Sequence, residues 1–448
     1  MRKDKNLTTD NELRRLLYGG FGRAILLLRE EGLTRHRDLV LHYCTRWNAH
    51  DKYLTESRAD YLYPLLVESS EVRWFRDRIM DALCAVRDHG DARQLFDFAA
   101  LFARDGDSAA RDAIHEKYLC NDTDDPFTGA EALIRLCGTD GLITVLDLIG
   151  LSSGVGREPW EDNSLVEDAE ETCGIEAVRL ALQAASASPG VARVLERISS
   201  VYSPFKTYAE IRAMREEDLQ RRRTRQAYPY EIPEDALWWE VKNHPLFDRI
   251  CSEWARVAPD EQLQTALDDV LAENEPKRLH RLLLALRLAA RRRELPTDPS
   301  GLLKLIGSGD QTTVLRALGV LEHLSHPAVR DLAFRLMDDP KWSYRAVGLL
   351  TCNHEPGDHE TILHLIERES NPDNLHIIGI DVRKVYKENP SPEGIEPLLL
   401  VYKKGPCSMC RCGVVELLHE MDALPDWMIR ECVYDAYSET RELASKLV

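Results

Sequence analysis

A seven-residue block centred on glycine recurs down the C-terminal third of the chain. It reads LRALGVL over residues 315–321, YRAVGLL over 344–350, LHIIGID over 375–381 and MCRCGVV over 409–415, with TRELASK over 440–446 as a fifth, altered copy. Aligned, the blocks put Gly319, Gly348, Gly379 and Gly413 in one column with Ala444 last, at intervals of 29, 31, 34 and 31 residues. The position before the column is apolar each time: Leu318, Val347, Ile378, Cys412, Leu443. Self-similarity at this period marks helical pairs that cannot bury an apolar face alone and must stack. The expected fold is therefore all-α, an α-solenoid of stacked antiparallel helix pairs. A glycine inside a helix costs about 1 kcal/mol against alanine, so a retained column predicts tight crossings where a Cβ would collide. Ala444 fits as the end of the array.

Outside the clear repeats the pattern is weaker but still helical. Thr9-Asp10 is an N-cap signal before NELRRLL, and amphipathic stretches follow at Thr34–Trp47, Arg58–Val67 and Val72–Val86. Their aromatics, Tyr43, Trp47, Tyr61, Tyr63, Trp74 and Phe75, read as plugs for the end of an apolar stack. Hairpins follow at Ala92–Ala103 with Ala109–Tyr118, at Ala130–Cys137 with Leu142–Ile149, and at Ile175–Ala185 with Val191–Val201. The acid-rich segment Leu151–Asp168, with SSGVG and Pro159, reads as a loop. Over 204–246 the RRRTR run, Pro229 and Pro233 interrupt helix. This divides the chain into a degenerate helical region (1–203), a linker or insertion (204–246) and a repeat array (247–448), with the most protease-sensitive site expected within 218–240. Pro327, Pro340, Pro372 and Pro406 fall at or near helix starts, where a missing N–H costs nothing. No stretch alternates with period two for long enough to propose a sheet.

The repeats of the last third, above all PAVRDLAFRLM over 327–337 with its proline, Val-Arg and small residue, resemble HEAT-type repeats. They are of the short bacterial sort first noticed in phycobilin-lyase-like proteins. The resemblance covers roughly 300–448, and more weakly 90–300. It implies a superhelical scaffold that binds other proteins; it does not imply lyase chemistry, because repeat and activity are separable.

Charge narrows the choice of partner. The formal net charge is −18, made of −10 over 1–200, zero over 201–295 and −8 over 296–448. Such a surface repels phosphate backbones and anionic membranes. The opening MRKDKNLTTD carries no apolar run of the signal-peptide kind. The run Leu16–Leu28 is broken by Gly19, Gly20, Gly22 and Arg23, too short for the ~20 residues a bilayer needs. With 11 scattered cysteines and no disulfide framework, a reducing cytoplasm is the expected setting.

No catalytic constellation emerges, and the chain reads as no enzyme, with no cofactor. GxxxxGK[ST], GxGxxG after a strand and HExxH do not occur, and LSSGVG over 151–156 lacks a lysine and a preceding strand. Cys407, Cys410 and Cys412 cluster, with Cys432 one helix later, but a zinc site wants four converging ligands. Cys412 points nearly opposite Cys410 and occupies the core column, so buried, metal-free thiols are expected. Cys352, His354 and His359 around Pro356-Gly357 read as a polar loop. Arg221–Arg223 with Arg225, and Arg291–Arg293, read as solvated helix faces. What remains is a binding surface. The second helices of the repeats carry Arg330, Arg335, His364, Arg368, Tyr402, Lys403, Arg430 and Tyr434, rich in the types that supply interface hot spots. On an acidic protein such a ridge suits an acidic protein or peptide. The alternative readings are pairing of these residues with Glu367, Glu369, Glu431 and Asp435 on their own helices, and a nucleic-acid-acting solenoid resembling DNA alkylation repair enzymes, which the net charge opposes. A third is an enzyme around Trp238-Trp239, for which no nucleophile or base is visible.

Overall fold

The computed structural model describes residues 10–47, 57–120, 122–125, 127–152, 158–201, 238–243, 247–291 and 298–448. Among these residues every regular element is helical and none is a strand, so the fold is all-α. Among the described residues no helix is long and apolar enough to cross a membrane. The described residues form two compact units: those of Met1–Thr224 together with Asp426–Val448, and those of Arg225–Pro425. The last stretch of the expected C-terminal array thus belongs to the first unit. The expected linker over 204–246 and both arginine runs lie outside the described residues, apart from Trp238–Asn243 and Arg291.

The first unit begins with α1 (Asp10–Gly19), α2 (Gly22–Glu31), α3 (Arg37–Thr45), α4 (Ala59–Glu68) and α5 (Val72–Ala85). It continues with α6 (His89–Arg104), α7 (Ser108–Cys120), α8 (Ala130–Leu151), α9 (Pro159–Cys173), α10 (Ile175–Ala184) and α11 (Pro189–Val201). Tyr43, Tyr61, Tyr63 and Phe75 are buried. The three hydroxyls are satisfied: Tyr43 donates to the Arg14 carbonyl at 3.0 Å, Tyr61 to the Phe21 carbonyl at 2.7 Å and Tyr63 to Asp105 at 2.8 Å. Within the span of α8, Gly138, with φ of 62° and ψ of −133°, separates two helical stretches; the turn is sharp enough that a Cβ on Gly141 would meet the Leu133 carbonyl, in keeping with the expected helix pair.

Helix α9 corrects the expected loop at Leu151–Asp168. Pro159 occupies its first position, and Glu161 reaches back to accept the Glu158 N–H at 2.9 Å. Early acids are favoured by the helix dipole, while Leu165, Val166 and Ala169 bury one face. The many acids that suggested a loop decorate a helix start. Asp162, with no exposed surface, accepts from Arg197 of α11 at 2.8 and 2.9 Å.

The second unit holds α12 (Trp238–Asn243), α13 (Phe247–Val257), α14 (Asp260–Ala272), α15 (Pro276–Ala290), α16 (Ser300–Leu305), α17 (Gln311–Leu321) and α18 (Pro327–Met337). It ends with α19 (Asp358–Arg368), α20 (Pro372–Glu388), α21 (Ile395–Lys404) and α22 (Ser408–Glu420). The first unit resumes at α23 (Asp426–Cys432) and α24 (Ser438–Ser445). Starts are written locally: a capping residue precedes proline at Glu275-Pro276, His326-Pro327 and Asn371-Pro372 and accepts the next free N–H groups. The block YRAVGLL departs from helix and forms two 3-10 turns, Ser343–Arg345 and Val347–Leu350. There the Thr351 N–H and hydroxyl both donate to the Gly348 carbonyl, at 3.1 and 2.7 Å, holding the tighter i→i+3 closure. Helices one and two places apart pack together throughout the unit: α15 on α17, α19 on α21, α20 on α21 and on α22. That is the local contact pattern of stacked helical pairs.

The glycine column is tight, but against side chains rather than a crossing backbone. A Cβ on Gly319 would lie 3.1 Å from the Arg287 guanidinium, one on Gly348 3.0 Å from Asp381 and 3.1 Å from Glu322, and one on Gly379 3.0 Å from Val401. On Gly413 it would strike the Arg383 guanidinium. Ala444 is buried within the first unit.

Candidate functional site

The eight residues expected to form a binding ridge do not share one. Arg430 and Tyr434 belong to the first unit and the other six to the second. Tyr402 is 1% exposed and forms a buried stripe with Leu398 and Val401 of α21, so it cannot contact a partner. Arg330 is engaged internally. It meets Asp358 at 2.6 and 2.7 Å, Glu355 at 3.2 Å and the Asn353 carbonyl at 2.7 Å, with its guanidinium 4.9 Å from the Phe334 ring centre. Arg368 donates to the Met337 carbonyl and stands 3.9 Å from Asp338. Tyr434 lies under the Arg29 guanidinium at 4.5 Å. Arg335, His364, Lys403 and Arg430 are exposed. Both arginines pair with neighbouring elements, Arg330 with residues that follow its helix and Arg368 with the end of the preceding one, rather than with acids of their own helices.

A different concavity gathers arginines within the first unit, enclosing about 880 Å³. Arg93, Asp97 and Arg104 stand at four- and seven-residue spacing on α6 and so share one helix face. Asp60 of α4, Arg111 of α7, Glu131 and Arg135 of α8, Asp168 of α9 and Arg441 of α24 complete the charged wall. Glu131 sits between two guanidiniums, 3.8 Å from Arg93 and 3.5 Å from Arg135. Arg441 donates to the carbonyls of Asp435 and Ala436 at 2.7 Å each, fixing the C-terminal segment at the rim. That segment is held from beneath as well. The Ala436 N–H donates to the Gly20 carbonyl at 2.9 Å, and a Cβ on Gly22 would run into the Glu431 carbonyl.

Asp97 lies deep among protein atoms while the cleft still lets solvent touch it. Burial pushes its carboxyl up to about 6, against the pull of the Ser57 hydroxyl, Arg135 and Arg93. Burial, with Glu131, also raises Asp168 on the same wall. The cleft therefore offers forked donors for carboxylates or phosphates and one acid that burial holds above the ordinary carboxylate range. Among the described residues lining it there is no histidine, cysteine or lysine. Nearby, His115 Nε2 lies 3.2 Å from Cys137 Sγ, but burial raises that thiol above its ordinary value, the opposite of what an activated nucleophile needs.

Sequence reasoning missed this cleft because its parts come from five helices, α4 and α6 to α9, and the C-terminal segment. The available signal was the Arg93/Asp97/Arg104 spacing. Most of the segment of the enzyme reading around Trp238-Trp239 lies outside the described residues. Trp238 is buried, donates from Nε1 to Asp269 at 2.5 Å and stacks 4.5 Å from Trp254. Cys352, His354 and His359 do not converge; His354 packs edge-on against Tyr386, and His359 faces Glu393 at 3.2 Å. Among the described residues, the metal-ligating side chains that do converge are His376, Cys407 and Cys410.

Two further polar groups are structural in the second unit. Glu322 and Asp381 are buried together, with Arg345 at 3.3 Å and Lys384 at 3.4 Å from Glu322. Burial, then the nearby Glu322, pushes Asp381 up to about 7. Burial likewise lowers His323 to about 4.

No family model matches the chain, and no curated protein or solved structure does.

Proposed function

We propose that the chain is a non-enzymatic interaction protein built on HEAT-type helical repeats, and that it holds an acidic segment of a protein partner. The observation that carries this reading is the convergence of Arg93, Arg104, Arg111, Arg135 and Arg441 on one cleft of the first unit. Arginine matches carboxylates with two parallel N–H donors, and a protein of net charge −18 has such an island only where it is built. Asp60, Asp97, Glu131 and Asp168 stand among the arginines, which suits an acidic segment with its carboxylates spaced apart better than a uniform phosphate backbone. The setting this reading implies is a reducing cytoplasm, where thiols such as the eleven here persist unpaired.

The test uses a fluorescent glutamate-rich peptide and the variant Arg104→Glu/Arg111→Glu, two exposed positions whose change leaves the core intact. Anisotropy is expected to show binding that weakens with salt and falls more than about tenfold in the variant, the equivalent of ~1.4 kcal/mol. Equal binding by variant and parent would remove the cleft. Tighter binding of a duplex DNA probe than of the peptide would replace the reading with the nucleic-acid one.

A further inference from the structure

The helix α22 opens with a thiol pair. Cys407 is its N-cap residue and Cys410 lies one turn on, so the two Sγ atoms face the same side. His376 stands on α20, which packs against α22. Its Nε2 lies 3.8 Å from Cys410 Sγ, and the three donor atoms fall within 4.8 Å of one another. Cys407 is 2% exposed, while Cys410 and His376 are half-buried. Cys412 points into the core and takes no part.

We propose that His376 Nε2, Cys407 Sγ and Cys410 Sγ bind a soft divalent cation, zinc by preference, with water or a ligand group in the fourth position. Two sulfurs and one imidazole, with no carboxylate among them, form the donor set that tetrahedral zinc favours and that calcium or magnesium does not. Three protein ligands leave one position open. Two thiolates balance the dication, so the inner shell is neutral, and the positive charges of Arg383 and Arg411 act on Cys410. A thiol–disulfide exchange site is the competing use of a Cys-x-x-Cys pair. Attack there requires an accessible sulfur, and the sulfur at the helix start is the one closed off. The histidine also converges on both sulfurs, which exchange chemistry does not need. Metal would clamp α20 to α22 at the end of the second unit.

The test is made on full-length protein purified without chelator and kept reduced. Close to one equivalent of zinc is expected, and replacing it with cobalt should produce thiolate-to-cobalt charge-transfer absorption and the intense visible bands of a tetrahedral ion. His376→Gln should weaken zinc binding by well over tenfold, because loss of even an outer-shell partner costs about 10–100-fold; Cys410→Ser should do the same, and Cys412→Ser should not. Far-UV circular dichroism of His376→Gln checks that the helices persist, so a folding defect is not mistaken for ligand loss. Absence of zinc with no cobalt charge-transfer band in folded, fully reduced protein would overturn the proposal. So would full cobalt binding by His376→Gln, or a Cys407–Cys410 disulfide that forms in a glutathione buffer at cytoplasmic poise.

Discussion

In the first unit Gly150 of α8 and Gly190 of α11 meet backbone to backbone: a Cβ on the former would enter the Gly190 carbonyl, and one on the latter the Asp147 carbonyl. In the second unit the glycines of the repeat column face side chains, and three of the four neighbours carry charge: Arg287, the Glu322/Asp381 pair and Arg383. The first pair is invisible as a pattern because each glycine occurs once; the second recurs because each stacked pair needs the same space. Periodicity thus reports where side chains are accommodated, while the closest helix contacts are non-periodic. A side chain can rotate aside and a carbonyl in a helix cannot, so the two kinds of glycine should differ in cost.

The largest effect is expected at the backbone crossing. Gly150→Ala should lose at least about 3 kcal/mol, since the end of α8 and the start of α11 meet backbone to backbone there and must separate. A chain of two units need not unfold in one step, so the loss is best read from hydrogen exchange in those two helices. Unchanged protection would erase the distinction between the units. At the column, Gly348→Leu should cost roughly 2–3 kcal/mol, by displacing Asp381 and Glu322 and overfilling the site. Gly348→Ala should cost under about 1 kcal/mol, because those carboxyl groups start 3.0–3.1 Å from the new carbon and can shift by the small amount required. Equal losses from Gly348→Ala and Gly150→Ala would show that the column is rigid after all.

The same contrast explains what the sequence could reveal. The helix starts at Pro276, Pro327 and Pro372 were legible because cap and proline are adjacent in the chain. The burial of Cys412 was legible from its place in the repeat column. Burial of Tyr402 could have been read from Leu398 and Val401, four and one positions before it, had the aromatic been weighed as core rather than as surface. The remaining features depend on partners far along the chain. Arg330 is taken up by Asp358, and His376 reaches thiols more than thirty positions away. The C-terminal segment is anchored on Gly20 and Gly22. No local pattern encodes these pairings, and the candidate cleft and metal site are both made of them.

The smallest expected effect concerns the charges that fill the glycine column. Asp381 keeps its proton up to about pH 7, against about 3.9 in an unfolded chain. Between those values the folded state binds one proton more than the unfolded state, so this group's contribution to stability falls as pH rises from about 4 to 7. The groups facing it are Glu322, which opposes ionisation, and Arg345 and Lys384, which favour it but do not outweigh burial. Asp381→Asn keeps an oxygen able to accept the Gly348 N–H and removes the ionisable group. Relative to the parent, the variant should gain stability as pH rises from 5 to 8, seen as a widening difference in melting temperature. A variant destabilised more at pH 8 than at pH 5 would mean that Arg345 and Lys384 hold Asp381 ionised. The glycines of the second unit would then make room for a salt-bridged ladder rather than for a buried acid.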